Sequence, residues 1–397
     1  MKIALASDWF LPRIGGLELQ MRDLALRLIA AGHEVEVITA TEGAPVVDGI
    51  PVHRIDARPL ISYGQLSWRP KVARQVEARL VAGGYDVVHC HSALSPMSLM
   101  TSRAARRLGI PNVLTEHSVT HGAGGVIMGS TDRLTGWSRW PDVMTGVSSE
   151  VVAGLSSLFR RRVRVLHNGV DPADWHLADQ DRTPVRIVTV MRMTPRKQPI
   201  DFIRAVPKVL AQVPKARRPE FVMIGDGPER ARVLAEARRL GVLDAVHFAG
   251  LKDREAVRAE LAASSIFALP TEKEALSIAS LEALSSGLPV VAMGQGGVRD
   301  VVTHGATGFL AADPDEFADA IARLVVDDDL RRSMAARGPE AARRFEWPAI
   351  LDRHVEIYEL AITAVARRKR AAAARAERAL AARTGMTIDP ERPGVVS

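Results

Sequence analysis

In the stretch Thr271 to Ala292, TEKEALSIASLEALSSGLPVVA, two carboxylates, Glu274 and Glu282, bracket seven small or apolar residues. IFALP before it reads as a strand ending at Pro270, and Ser285, Gly287 and Pro289 supply a helix stop, so a helix is predicted to start near Ser277. Glu274 then falls in a strand-to-helix loop. The free N–H groups around Leu276, Ser277 and Ile278, together with the positive end of the helix dipole, make an anion site suited to a phosphate. Glu282 lies about a turn further on and leans back toward the same helix end. Two acceptor carboxylates flanking a phosphate cradle suit a ligand with a diphosphate at its centre and hydroxyls at both ends, the form of a nucleotide sugar. The plainer alternative is that Glu274 only complements the helix dipole and Glu282 is a solvated side chain.

Other stretches add to this chemistry. LPRIGGLE, Leu11 to Glu18, puts Gly15 and Gly16 between a first strand and a first helix, where backbone can approach phosphate or sugar oxygens closely. The spacing is not that of the G-x-G-x-x-G dinucleotide fingerprint. MRMTPRK follows a strand with Arg192, Arg196 and Lys197, cations suited to phosphate oxygens at a strand's carboxyl end. TEHS places His117 at another strand end, and GDGPER, with Gly225 and Gly227, reads either as a base or ribose contact or as a plain turn. Two patterns point away from metal. His89 and His91 in HCH give too few ligands for a zinc site, and Asp327, Asp328 and Asp329 suit the cap of a following helix.

These residues need strands and helices to hold them. KIALAS, a helical run with Leu17, Met21, Leu24 and Leu28 on one face, and VEVIT form a βαβ opening. Short apolar strands and longer helices continue to alternate, which predicts a parallel sheet covered on both faces. Residues 171–184 are polar, hold two prolines and show no period, and read as a linker. The alternation then restarts, so two Rossmann-like domains are predicted, 1–170 and 185–346, with the site in the cleft between them. A helix over 347–366 and an Ala/Arg-rich tail over 367–397, read as a frayed helix or disordered, complete the chain.

Composition narrows the classes. The chain has 397 residues, 47% hydrophobic and 25% charged, and no apolar run long enough to span a membrane. The net charge of +7 lies mainly in the tail, where eight Lys/Arg face three Asp/Glu, so it does not point to nucleic acid. A single cysteine, Cys90, excludes an internal disulfide. MKIALASDWF lacks the features of a signal peptide, which predicts a cytoplasmic location, peripheral at the inner membrane face if the basic tail meets anionic lipid.

LPRIGGLE, TEHS, LHNGVD, MRMTPRK, GDGP and the Glu-x7-Glu of EALSIASLE occur in the order and spacing of glycosyltransferase family 4, and the chain resembles that family over about residues 1–360. Within it, HCHSALSPMSLM and TEHS are most similar to the phosphatidylinositol N-acetylglucosaminyltransferase catalytic subunit. The resemblance implies the GT-B fold, α/β with two Rossmann-like domains whose parallel sheets face across a cleft and a C-terminal helix packing back on the first domain. It implies a retaining, metal-independent transfer with no cofactor, from a nucleotide-sugar donor, UDP-N-acetylglucosamine in the branch named, to a small polyol or lipid acceptor. By the same resemblance Gly16 (beside Gly15) would contact the donor phosphate, His117 the donor sugar and diphosphate, and Arg192 and Lys197 the diphosphate. Glu274 would hold sugar hydroxyls, Leu276, Ser277 and Ile278 would offer backbone N–H groups, Glu282 would hold the ribose, and Asn168, Gly225 and Gly227 would complete the donor pocket. Two departures bear on the donor sugar: Gln198 stands where the family usually has Gly after the Lys, and Ser277 brings a side chain where a Gly is common.

For the acceptor, Trp9, Phe10, the loop from His121 to Gly129, Trp137 and Trp140 are candidates to line a pocket. Two other functions fit the two-domain pattern: an NAD-dependent oxidoreductase, which the missing fingerprint opposes, and a non-catalytic nucleotide-sugar-binding or membrane-docked protein. The oligomeric state is not legible.

Overall fold

The computed structural model describes residues 1–56, 70–119 and 122–384. The first domain alternates β1 (Lys2–Ser7), α1 (Gly16–Ala30), β2 (Glu34–Thr39), β3 (Val46–Val47), β4 (Ile50–Arg54), α2 (Pro70–Gly83), β5 (Val87–His91), α3 (Pro96–Leu108), β6 (Asn112–Glu116), α4 (Ala123–Thr135), β7 (Val143–Gly146), α5 (Ser149–Phe159) and β8 (Arg164–Val165). Its sheet runs β3-β4-β2-β1-β5-β6-β7-β8, parallel except where β3 pairs antiparallel with β4. That hairpin had a signal in Asp48-Gly49: both residues take positive φ, as a tight two-residue turn demands.

The second domain follows with β9 (Arg186–Val190), α6 (Pro199–Gln212), β10 (Glu220–Ile224), α7 (Arg230–Arg239), β11 (Val246–Gly250), α8 (Arg254–Ala262), β12 (Ile266–Leu269), α9 (Ile278–Ser285), β13 (Val290–Met293), β14 (Gly308–Ala311), α10 (Pro314–Val326) and α11 (Asp328–Ala342). Its sheet is parallel throughout, in the order β11-β10-β9-β12-β13-β14. Strands such as VVHCH and IFAL are buried along their whole length, as central strands covered on both faces must be. The acidic run caps a helix: Asp327 accepts from Leu330 N at 2.9 Å at the start of α11.

The chain then returns to the first domain as α12 (Trp347–Thr384). Trp347, Ile350, Ile357, Tyr358 and Ala361 pack with Ile3, Leu5, Met21, Leu24 and Leu28 in one core, so α12 forms a wall of the first domain. At 38 residues it is about 57 Å long. The helix runs on past the boundary placed at residue 366, in keeping with the helical alternative for the tail: Arg368 pairs with Asp142, which holds the helix down past the start of the basic run. The segment from Ala371 to Leu380 is almost wholly exposed. The tail beyond Thr384, and His121 of the candidate acceptor loop, lie outside the described residues. Among the described residues, no helix is long and apolar enough to cross a membrane.

Candidate active site

The carboxyl ends of both sheets open onto one cleft, and the loops that leave them meet there. From the second domain, the β9–α6 loop brings Lys197 onto Glu274 of the β12–α9 loop, a largely buried ion pair. The same two loops are tied by Thr271 Oγ1 donating to Lys197 O at 3.0 Å, by Glu272 N donating to Gln198 Oε1 at 2.8 Å, and by Arg196 donating to Lys273 O at 3.3 Å. The loop therefore places a cation and a carboxylate side by side at the start of α9. No side chain caps α9: Ser277 Oγ instead bonds Ser280 Oγ at 2.7 Å. The first N–H groups of α9 are thus left for a ligand, where the helix dipole favours negative charge. Across the cleft, Arg192 Nη2 donates to Ile14 O at 2.8 Å, and a Cβ on Gly16 would lie 3.5 Å from Ile278 Cδ1. The Gly15-Gly16 loop of the first domain is therefore seated against the helix end that the second domain presents. On Gly15 a Cβ would lie 2.5 Å from Glu18 Oε2, so a side chain there would have to displace the Glu18 carboxylate that Arg13 holds at 3.2 Å.

Glu282 sits on α9, and its carboxylate receives no hydrogen bond among the described residues. Burial raises its pKa to about 7; Arg254 and Arg258 pull it down, and Asp23 of α1 pushes it up. Asp23 reaches across the cleft to Arg254 Nη1 at 3.0 Å, and both Arg254 and Arg258 stack on Trp175. An acceptor carboxylate without a donor, framed by two guanidinium groups, suits vicinal hydroxyls.

His117 is half-buried at the end of β6. Its backbone N donates to Glu116 Oε1 at 2.9 Å, and the buried Glu116 carboxylate also receives Ala93 N at 2.6 Å and Ser118 N at 2.8 Å. One acid thus organises two cleft loops. Behind His117 stand His91, His89 and His354, all buried, whose pKa values burial holds below the ordinary value, as it does for His117, lowered to about 3. All four are neutral imidazoles near pH 7. Among the described residues, no group of three or more His, Cys, Asp and Glu is arranged to hold a metal ion.

Comparison with known proteins bears on this arrangement. Residues 14–174 match the model of Glycosyltransferase Family 4, and residues 178–341 match Glycosyl transferases group 1. A D-inositol 3-phosphate glycosyltransferase of Nocardioides sp. is 30% identical over 87% of this chain and 85% of its own length. The chain belongs to glycosyltransferase family 4. Another relative is the N-acetyl-alpha-D-glucosaminyl L-malate synthase of Bacillus anthracis, 25% identical over 87% of this chain and 94% of that protein. Anabaena HepE, solved in complex with UDP and glucose, superposes with a TM-score of 0.74 at 23% identity, covering 90% of this chain and 98% of that one. The sucrose-phosphate synthase of Thermosynechococcus elongatus does so with a TM-score of 0.75 at 20% identity over 91% and 99%. These likenesses establish the GT-B fold.

In this glycosyltransferase the sequence-derived set divides by position. Arg192, Lys197, Glu274, Leu276, Ser277 and Ile278 gather at the α9 end with Gly15 and Gly16 opposite, while Glu282 looks toward Asp23 and Arg254. Gly225 and Gly227 have φ of 130° and 154°, and a Cβ on either would be driven into the carbonyl oxygen of Met191 or Met193. Their backbone runs beside the β9–α6 loop, with Met193 N donating to Asp226 O at 2.9 Å, so the bare positions let those loops touch. Asn168 lies at the seam between domains, flanked by His167, which bonds Asp300 at 3.1 Å, and Gly169, which exchanges bonds with Gln20. Of the aromatic residues expected around the acceptor, Phe10 and Trp137 are corrected to core positions, fully buried among apolar neighbours. Trp9 stays half-open under the Arg13 guanidinium, 4.9 Å from its ring centroid. Asp23, Arg254, Asp300 and Trp175 went unread. Asp23 lies off the Leu17, Met21, Leu24 and Leu28 face of α1 and is covered only where Arg254 meets it, so it carries no signal without coordinates, and neither do the others.

Proposed function

We propose that this glycosyltransferase is retaining and metal-independent, and moves N-acetylglucosamine from UDP to a hydroxyl of an inositol-type acceptor held mainly by the first domain. The observation that carries this reading is the Lys197–Glu274 pair at the uncapped start of α9, with Arg192 of the same β9–α6 loop held on Ile14 O. In transfer the bond from the anomeric carbon to the diphosphate oxygen breaks, and the bond to the acceptor oxygen forms on the same face. The acceptor proton passes to the departing diphosphate. Charge develops on that diphosphate, and Lys197, Arg192 and the helix-end N–H groups are fixed beforehand to stabilise it. Glu274 holds a sugar hydroxyl, Glu282 the ribose, and His117 the sugar near the diphosphate.

The acceptor class is supported by relatives named D-inositol 3-phosphate glycosyltransferase, and the donor sugar by the malate synthase, whose name carries N-acetylglucosaminyl. The phosphatidylinositol branch suggested by HCHSALSPMSLM is the competing acceptor. Mass spectrometry of products from UDP-N-acetylglucosamine and UDP-glucose with inositol 3-phosphate, phosphatidylinositol and malate tests the assignment, with anomeric configuration read by NMR. An α-linked N-acetylglucosaminyl inositol phosphate that persists in EDTA is expected, and Lys197→Ala or Glu274→Ala lowers kcat by about 100-fold or more. A β-linked product, or a rate indifferent to both substitutions, would sink the reading.

A further inference from the structure

We infer that His91 is a positioning residue that fixes the tautomer of His117, so that a neutral His117 presents Nδ1–H to the cleft as a hydrogen-bond donor. His91 Nδ1 and His117 Nε2 are 3.0 Å apart, with ring centroids 5.2 Å apart and planes 35° from parallel. One hydrogen lies between these two nitrogens, and either ring can supply it. The decision falls on the far nitrogen of His91, Nε2, which is buried with no partner. If His117 were the donor, His91 would carry its proton on Nε2 as an orphaned buried N–H. If His91 is the donor, Nε2 is a bare nitrogen whose lone pair goes unused. Orphaned N–H groups are the rarer and costlier of the two in folded proteins. The proton therefore sits on His91 Nδ1, His117 Nε2 accepts it, and the remaining proton of His117 is on Nδ1.

The surroundings keep this choice in place. His91 is held at its carbonyl by Ser98 Oγ at 2.6 Å, and its ring stacks on His89 with centroids 4.1 Å apart. His89 is fixed at both nitrogens, by Tyr358 Oη of α12 at 3.0 Å and by Thr115 Oγ1 at 2.6 Å. Neutral rings throughout the stack leave a single hydrogen to be shared at the His91–His117 contact. Among the described residues His117 Nδ1 has no hydrogen-bond partner, so the donor is available to a ligand. This rests on the proposed placing of His117 at the donor sugar. A donor there complements a hydroxyl or diphosphate oxygen, whereas the opposite tautomer would offer an acceptor.

The test is 15N NMR of histidine-labelled, ligand-free protein, with His117 assigned by substitution. Wild type should show His117 protonated on Nδ1 and bare on Nε2. His91→Leu, which has no donor, should move His117 toward the Nε2–H form and lower kcat by about 10- to 100-fold, with a smaller change in donor Kd. His91→Asn, whose amide N–H overlays Nδ1, should restore both the Nδ1–H signature and most of the rate. An Nε2–H form of His117 in wild type, or an unchanged signature in folded His91→Leu, overturns the inference. The spectrum is read without substrate, so absence of sugar transfer with the expected signature would count against the proposed function alone.

Discussion

Glu282 carries a specific cost and a specific use. Burial raises its pKa to about 7, so the folded protein binds a proton that the unfolded chain releases at an ordinary carboxylate pKa. A raised acid means that stability from this group is complete below about pH 4 and is lost as the pH climbs to about 7. Hydroxyls that donate to it need the ionised form, so donor binding should expel the proton. UDP affinity by titration calorimetry is expected to rise between about pH 6 and about pH 8, and then level. Asp23→Asn, which removes the repelling neighbour, should move the midpoint down, and Glu282→Gln should flatten the curve. Affinity that is constant over that range in wild type would contradict the ribose role. The acid itself was legible as the second Glu of EALSIASLE. Its partners were not, because Asp23, Arg254 and Arg258 come from α1 and α8 and meet only in the folded protein.

Two elements turn on backbone choices. Ser277, φ 73°, and Gln198, φ 51°, both occupy the left-handed region that suits glycine, and each puts its side chain to use, on Ser280 and on Glu272 N. The sequence showed side chains where the resembling family has glycine, but not that the φ would stay positive. Ser277→Gly relieves strain of about 1 kcal/mol and loses a bond of similar size, so the melting temperature should barely move. Ser277→Val, branched at Cβ, should lower it by several degrees, because α9 must then start differently. Equal melting curves for the two variants would show that the left-handed start of α9 is not required.

The histidine stack is the second case. His89, His91 and His354 are buried with pKa values below the ordinary one, so the unfolded chain takes up protons that the folded one cannot. Their contribution is present above about pH 6.5 and is lost as the pH falls, at up to about 1.4 kcal/mol per pH unit for each. Asp8, raised to about 6 by burial, and Glu116 oppose this. Because His89 bonds Tyr358 and His354 lies on α12, acid should loosen that helix from the first sheet before the second domain responds. Hydrogen exchange at about pH 5 reads this directly, and His354→Phe should reduce the acid sensitivity by about one proton. Uniform exchange in both domains would argue against the stack as the weak point.

At the scale of the molecule, the period of apolar residues was enough to read two parallel α/β domains, since buried central strands and amphipathic helices announce themselves locally. The seam between them was not. It is built from Arg192 on Ile14 O, Asp23 on Arg254, and Asp300 on Ser149 and His167, pairs more than 130 residues apart. The tail was read as loose because its composition offers little to bury, yet Arg368 on Asp142 and the continuous helix carry order to Thr384. Truncation after Arg370 should leave the melting temperature unchanged, since the helix from Ala371 to Leu380 is exposed, whereas replacing Arg367, Lys369 and Arg370 by Ala, with Arg368 kept on Asp142, should remove salt-sensitive binding to anionic vesicles if the tail has that role. Truncation before Tyr358 should instead cost several kcal/mol, with a core aromatic and its bond to His89 both lost. Vesicle binding that survives the triple replacement would free the basic run of that role.

The way α12 closes the first domain also dictates when that domain can be finished. The faces of Ile3, Leu5 and Leu24 stay uncovered until the ribosome has delivered Trp347 through Ala361, after the whole of the second domain. The lobe translated first is thus completed last, so the second domain can fold on the ribosome while the first waits with apolar surface open to chaperones or to other nascent chains.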